Sequence, residues 1–466
     1  MEALINDSKK LGTVTYDEFM TMVENDEINT LVLAFCDMQG RLMGKRVTGD
    51  YCLDNDISEG TFFCTYLLGT DFEMNVPEGY ELMNWDTGYG DWLAKPDLNT
   101  LKVIPWLDKT ALVFCDVYNK DGDKIVPVAP RNILKEQIDR INKMGYKPFM
   151  ASELEFYLFE DTFEEVHNKG YRNIDAAGHY NEDYNLLQST RNEPIYQTIR
   201  EQMRKLGLFV ESSKGEAHIG QHEINLKYTD AMKAADEHLM FKHGTKEICI
   251  QNDYSITFMA KPHHSWTGSS GHIHLSLIET DTGENAFFDI NNDQKNMSPL
   301  MKHFLAGVIK YTNDFALFYA PFINSYKRYI PNSWAPTSIA WSTDNRSSGY
   351  RVVGDKNSMR FESRIPGSDM NPYLAYSALL GAGMYGIENK LELPEELVGS
   401  AYQNPNVEQI PTSLNEAITK WENSPVVKEV LGETVWKHYL HAAKVEQETF
   451  DRIVTEWEIE RYFEQG

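Results

Sequence analysis

Residues 152–159 read SELEFYLF, and the alternation within them governs how the rest of the chain is read. Successive side chains of an extended strand point to opposite faces, so Leu154, Phe156 and Leu158 share one face while Glu153 and Glu155 share the other. Two carboxylates on one face lie ~7 Å apart by strand rise, a costly arrangement unless positive charge sits near them. Residues 271–277 repeat the pattern, with Ile273, Leu275 and Leu277 opposite His272, His274 and Ser276. Residues 221–228 set Glu223 beside apolar Ile224 and Leu226, with Glu216 just upstream, and residues 359–365 group Arg360, Glu362 and Arg364. Helical periodicity fills the gaps: Ile133, Leu134, Ile138, Ile141 and Met144 fall on one stripe, and residues 194–206, 230–250 and 372–387 read as helices. Strands and helices intersperse without a strict βαβ repeat, which assigns the α+β class.

Working outward, the first ~125 residues read as short strands, at 30–35 (TLVLAF) and 111–117 (ALVFCDV), with an ordered loop over 85–105. A turn at Asp121-Gly122-Asp123 leads into the first long helix, so a boundary near residue 126 divides the chain into 1–126 and 127–466. At 466 residues the chain is long enough for two domains or one large catalytic domain with an appendage. The start, MEALINDSKK, lacks the apolar core of a signal peptide, and no apolar run reaches membrane-spanning length, so a soluble, cytoplasmic protein is expected. Five scattered cysteines without a C-x-x-C pair argue against a disulfide framework or a zinc ribbon. A formal charge of −26 repels phosphate backbones and excludes nucleic acid as a natural partner.

Each charged strand alone reads as a solvated face. Together, Glu153, Glu155, Glu216, Glu223 and Glu362 with His272 and His274 form a donor set suited to hard divalent cations such as Mg²⁺ or Mn²⁺. Nucleotide-binding loops are absent: Gly40-x-x-x-Gly44-Lys45 is one residue short and lacks the Ser/Thr of a P-loop, and no G-x-G-x-x-G follows a strand. Any nucleotide phosphates must then be held by metals and arginines. Arg328, Arg346, Arg351, Arg360 and Arg364, set among Gly-, Asn- and Pro-rich loops, point to an anionic substrate.

The ordered stretches SELEFYLF, GQHEINL, FMAKP with GSSGHIHLSL, NSYKR, NRSSGYR and RFESRIPGSDMNPYLAYSALLGAG resemble the glutamine synthetase family, from about residue 15 onward. The resemblance implies an N-terminal β-grasp domain and a catalytic domain whose curved antiparallel sheet lines a funnel. It implies a dodecamer of two hexameric rings, with active sites between subunits, and an ATP-dependent ligase that binds glutamate, ATP, an amine and two or three Mg²⁺ or Mn²⁺ ions. Carried over by motif, Glu155, Glu216 and Glu223 would hold the metal nearer glutamate, and Glu153, His272 and Glu362 the metal that bridges the nucleotide phosphates. Arg328 and the backbone around Gly268 would hold glutamate, Arg346, Arg351 and Arg364 would stabilise the phosphoryl group, and His274 and Ser276 would lie along the nucleotide, with Arg351 close by.

The family's ammonia-using members carry an aspartate in an F-D-G-S-S loop and a glutamate in a P-G-x-E-A-P flap. Here those places read Phe63-Cys64-Thr65-Tyr66 and Pro331-Asn332-Ser333-Trp334-Ala335-Pro336. With Cys64 and Trp334 in place of the two acids, ammonium loses its charge cage, while an organic amine gains about 25 cal/mol per Å² of buried apolar surface. The sequence therefore predicts a γ-glutamylamide synthetase for a neutral or apolar-bodied aryl or alkyl amine, formed through γ-glutamyl phosphate. The rival readings are a true glutamine synthetase, with Asp37 or Asp71 substituting for the missing acids, a polyamine or ethanolamine ligase, and a non-catalytic assembly protein. Tyr402 lies near a regulatory tyrosine of some relatives but reads as a surface loop residue.

Overall fold

A computed structural model describes residues 11–292 and 295–466; the N-terminal segment discussed above as lacking a signal-peptide core lies outside the described residues. The N-terminal part is built on β1 (Thr30–Cys36), β2 (Leu42–Thr48), β3 (Thr61–Cys64), β4 (Asp91–Pro96), β5 (Lys102–Val103) and β6 (Thr110–Tyr118). They pair in the order β2-β1-β6-β4-β3, with β5 on β6. The β1–β6 pair is parallel and the others are antiparallel.

Two expectations for this part are corrected. The stretch 85–105 is not all loop, because β4 is inserted between β3 and β6. Trp92, Leu93 and Ala94 are buried in succession, so the strand lacks the alternation that announces a one-sided strand, and Pro96 ends it. The part is also not purely strands: Tyr16–Glu24 is a helix opened by a Thr15 capping box, with Phe19 and Val23 one turn apart on its buried side.

The second sheet comprises β7 (Tyr146–Phe159), β8 (Val210–Gly215), β9 (Gln221–Leu226), β10 (Thr229–Asp230), β11 (Ser255–Thr257), β12 (Gly271–Glu279), β13 (Trp341–Thr343), β14 (Tyr350–Val353) and β15 (Arg360–Ser363). Its path is β13-β14-β15-β12-β7-β9-β8, antiparallel throughout except for the parallel β13–β14 pair. The spine is β7, at 14 residues more than twice the usual ~5–6, long enough to pair with β9, β10, β11 and β12. Register brings the charged faces together: Glu153 opposes His272, Glu155 opposes Glu223, and Glu362 opposes both His274 and Arg351. The other face, with Leu154, Phe156, Leu158, Ile273, Leu275 and Phe361, is buried, and the helices Pro130–Lys143, Ala231–Gln251 and Pro372–Glu388 belong to the same core. The result is an α+β fold whose larger sheet has one polar face and one buried face.

The two sheets share one hydrophobic core and are pinned by one guanidinium. Arg131 donates to Asp97 on the N-terminal side (2.9 Å) and to Asp236 on the catalytic side (3.1 Å), and also pairs with Asp116. Tyr373 hydroxyl donates to Asp236 (2.6 Å) and Lys135 to Asp116 (2.5 Å). Removing one member of such a buried network leaves uncompensated charge. Arg131→Met is expected to destabilise the protein by about 3–5 kcal/mol, read by chemical denaturation against wild type.

Candidate active site

The polar face of the second sheet floors a cavity of about 1070 Å³, whose lining includes Glu153, Glu155, Glu216, Glu223, His272, Gly268, Arg328, Trp334, Arg346, Arg351 and Arg364. The same face of the sheet carries two donor clusters; the first lines the cavity, and of the second only Glu153 does, with His274 and Glu362 outside the lining. In the first, ligand atoms of Glu155, Glu216 and Glu223 fall within 4.8 Å of one another. Glu155 accepts from Ser270 backbone N–H (2.7 Å) and hydroxyl (2.5 Å), and from Gln221 (3.3 Å). Burial, and then the neighbouring carboxylates, raise all three side chains well above the ordinary range. Lys214, near the end of β8 and two residues before Glu216, pairs with the Glu216 carboxylate and lies 4.7 Å from the Tyr184 ring centroid. Burial opposes its charge, but Glu223 and Glu216 outweigh that and raise its pKa.

The second cluster joins Glu153, His274 and Glu362 within the same 4.8 Å limit. His274 Nε2 is 2.9 Å from Glu153, while His272 Nδ1 stands 3.5 Å from Glu153 and 3.3 Å from Glu362. The motif assigned His272 to the metal and His274 to the nucleotide; both imidazoles stand beside Glu153, and His272 also faces Glu362 and lines the cavity. Burial opposes ionisation of Glu153, yet His272 and His274 hold it well below the usual range. Burial likewise opposes ionisation of Glu362, but His272 and Arg364 hold it down at about 2. Burial, reinforced by Arg364, lowers His272 to about 4, so its imidazole is neutral. Arg364 and Arg351 reach Glu362 at 2.6 and 3.0 Å. Arg360 Nε donates to His274 Nδ1 at 3.2 Å. Ser276 is outside the cavity lining.

Of the remaining sequence candidates, Arg328 is 2% exposed and donates to the carbonyls of Ile365 (2.9 Å) and Arg364 (3.0 Å), which aims the guanidinium across the site. Gly268 must be glycine: a Cβ there would meet Arg328 Cγ at 2.6 Å and the Ala260 carbonyl oxygen at 2.9 Å. Arg346 lines the cavity from an exposed loop. Cys64 is not brought to this cavity within one chain; it ends β3, where its thiol donates to the Tyr89 carbonyl (3.2 Å). Lys45 of the P-loop-like stretch donates to the Phe62 carbonyl (2.6 Å), away from the site.

The flap 331–336 carries Trp334 with its indole 67% exposed at the cavity edge. Asn332 (φ 62°) and Trp334 (φ 66°) both adopt left-handed backbone, which costs of order 1–3 kcal/mol each unless the surroundings hold it. Two contacts hold it: Arg364 donates to the Trp334 carbonyl (3.4 Å) and Tyr402 hydroxyl to the Ala335 carbonyl (2.8 Å). Tyr402 is thus not a simple surface residue; its phenol reaches in from the loop around Ala401–Gln403 to latch the flap. Neither acid considered as a substitute lines this cavity within one chain: Asp37 is 0% exposed and bound to Arg41 at 2.6 Å, and Asp71 accepts from Asn75 backbone and side chain, both at 2.8 Å.

Charge chemistry fits divalent cations at both clusters. Glu155 and Glu223, set opposite each other by the β7–β9 register, and Glu216 close to both ionise only with difficulty, and a cation relieves that repulsion. Sequence reading missed Lys214, Tyr184 and Gln221; alternation on β8 was the available signal for Lys214, because residues two apart share a face.

The family description "Glutamine synthetase, catalytic domain" matches residues 127–462. A γ-glutamylethanolamide synthetase, GlnA4 of Streptomyces coelicolor, is 46% identical over 96% of this chain and 95% of its own length. A glutamate–isopropylamine ligase of a Pseudomonas species is 36% identical over 95% of this chain and 96% of its own. Among solved structures, a GmaS/ADP complex superposes with a TM-score of 0.83 at 26% identity, covering 96% of this chain and 99% of that one.

Two outcomes follow from the geometry. Carboxylates whose folded pKa lies above their unfolded 4.5 lose stabilising protonation as pH climbs towards about 7 for Glu155 and Glu216 and about 8 for Glu223. The rise in thermal midpoint on adding Mg²⁺ is therefore expected to be larger at about pH 8 than at about pH 6, and to shrink in Glu223→Gln, as differential scanning fluorimetry would show. Tyr402→Phe, which removes the flap latch, is expected to raise the amine KM about three- to tenfold while the glutamate KM stays near wild type, measured by steady-state kinetics.

Proposed function

As a member of the glutamine synthetase family the chain is an ATP-dependent carbon–nitrogen ligase, and we propose that it couples the γ-carboxylate of glutamate to a small organic monoamine rather than to ammonia. The observation that carries the proposal is Trp334 on the flap, where an ammonia-using site needs a carboxylate. Asp37 and Asp71, both committed elsewhere, do not replace it. The two amide-forming relatives, named for ethanolamide and isopropylamine, support a short alkyl or hydroxyalkyl amine. The non-catalytic reading fits poorly with a chain that keeps both donor clusters and the arginine set.

Glutamate is a poor acyl donor until its γ-carboxylate oxygen takes the terminal phosphoryl group of ATP. That transfer moves a phosphoryl group between two anions, so charge neutralisation and alignment carry it. Arg328 and the backbone at Gly268 are placed to hold glutamate, and Arg346, Arg351 and Arg364 to hold the phosphoryl oxygens in transit. Mg²⁺ or Mn²⁺ held by Glu155, Glu216 and Glu223, and by Glu153, His274 and Glu362 with His272 beside them, supplies positive charge and a coordination template when bound. The amine nitrogen then attacks the acyl phosphate, the new C–N bond forms and phosphate leaves. Trp334, at the cavity edge, gives the nucleophile chamber an apolar side where an ammonia-using site needs a charge.

The same proposal keeps the division at 126/127, with the two sheets on either side of it, and the assembly in two hexameric rings. Sites shared between subunits would bring the Cys64 loop of one copy to the cavity of the next, which accounts for its distance from Trp334 in a single chain. Among the described residues no helix is long and apolar enough to cross a membrane; a cytoplasmic location belongs to the proposal.

ADP release measured with glutamate over a panel of amines tests the reading. Ethanolamine or isopropylamine is expected to outpace ammonium at equal concentration, and fastest turnover with ammonium removes the proposal. Trp334→Glu is expected to raise kcat/KM for ammonium by about tenfold or more relative to wild type.

A further inference from the structure

Lys214 has no role in the reading given so far, yet it is fixed at the wall of the cavity. Its ammonium is paired with the Glu216 carboxylate and lies 4.7 Å from the Tyr184 ring centroid. Both contacts hold it beside the cluster at which, on the function proposed above, glutamate is activated. On that reading the amine enters the same cavity that Lys214 lines.

The chemistry of the nucleophile makes the position matter. An alkylammonium has no lone pair, and with a pKa near lysine's, about 10.4, an alkylamine is overwhelmingly protonated at neutral pH. A site with a carboxylate cage can bind the ammonium and take its proton. This chain presents Trp334 there instead. A fixed positive charge near the incoming nitrogen disfavours the charged form of the amine.

We propose that Lys214 is a specificity-determining residue that bars cations from the nucleophile chamber, so that the neutral form of a monoamine reacts and a second ammonium group is rejected. The proton balance closes without a dedicated base. The neutral nitrogen bonds to the acyl carbon, the carbon–oxygen bond to phosphate breaks, and the departing phosphate takes the proton shed by nitrogen. Of the charged groups around Lys214, Glu216 and Glu223 belong to the donor cluster, and Glu193 is paired with Arg200 at 3.2 Å. Asp183 opposes the effect: it is exposed, lines the same cavity and precedes Tyr184.

The experiment uses the full-length enzyme with ATP, glutamate and Mg²⁺, comparing isopropylamine, ethanolamine and putrescine in wild type, Lys214→Met, Lys214→Arg and Asp183→Asn. Wild type is expected to show kcat/KM for each monoamine rising about tenfold per pH unit below that amine's pKa, while the glutamate KM changes little. Lys214→Met is expected to raise the putrescine-to-isopropylamine ratio of kcat/KM about tenfold, and Lys214→Arg to keep the wild-type ratio. The ratio is taken within one preparation, so partial loss of folding or of metal cancels. An unchanged ratio in Lys214→Met overturns the proposal. So does a wild type that uses putrescine as well as isopropylamine and loses it in Asp183→Asn. Preference for ammonium over every amine instead defeats the function proposed above, and is read from the wild type alone.

Discussion

Carboxylates that cannot all carry charge at once set the terms for this structure. The β7–β9 register puts Glu155 opposite Glu223, Glu216 closes on both, and all three are driven towards their neutral forms by burial and by one another. A fold stable with such a cluster must supply cations or lose stability as the groups ionise. The protein supplies some of its own: Lys214 on one side of the floor, Arg351 and Arg364 on Glu362 at the other. The rest is left for divalent ions and for the phosphates they bring. Read this way, the sheet's polar face is a charge-balancing surface, and glutamate activation is the chemistry that such a surface favours.

Much of this was legible in the sequence because the signal was periodic. SELEFYLF declares its two faces by strict alternation, as does HIHLSL, and the paired strands bring those faces into one plane. What was not legible fell into two kinds. The strand Asp91–Pro96 is buried on consecutive residues and therefore carries no alternation. The Tyr402 latch joins two loops far apart in the chain, and the pairing of Lys214 with Glu216 depends on where β8 places its side chains, so no local pattern announces either function.

The flap shows how polarity and strain combine. Its left-handed Asn332 and Trp334 persist because Arg364 and Tyr402 grip the carbonyls that follow, and Arg364 also serves Glu362. The guanidinium proposed above to hold the phosphoryl oxygens thus also holds the flap that carries Trp334. Such sharing couples the two half-reactions without any moving part being required.

The length of β7 has a consequence of a different sort. Both donor clusters hang from one uninterrupted 14-residue strand, which carries Glu153 for the one and Glu155 for the other. The spacing between phosphoryl donor and acceptor is therefore a backbone constant, as inflexible as the pleat itself. The features that the proposals above set against the amine sit instead on the flap, on the loop that bears Tyr184 and on the end strand β8. A protein so divided can have its choice of nucleophile rewritten away from β7, by selection or by hand, while the strand that carries both donor clusters stays untouched.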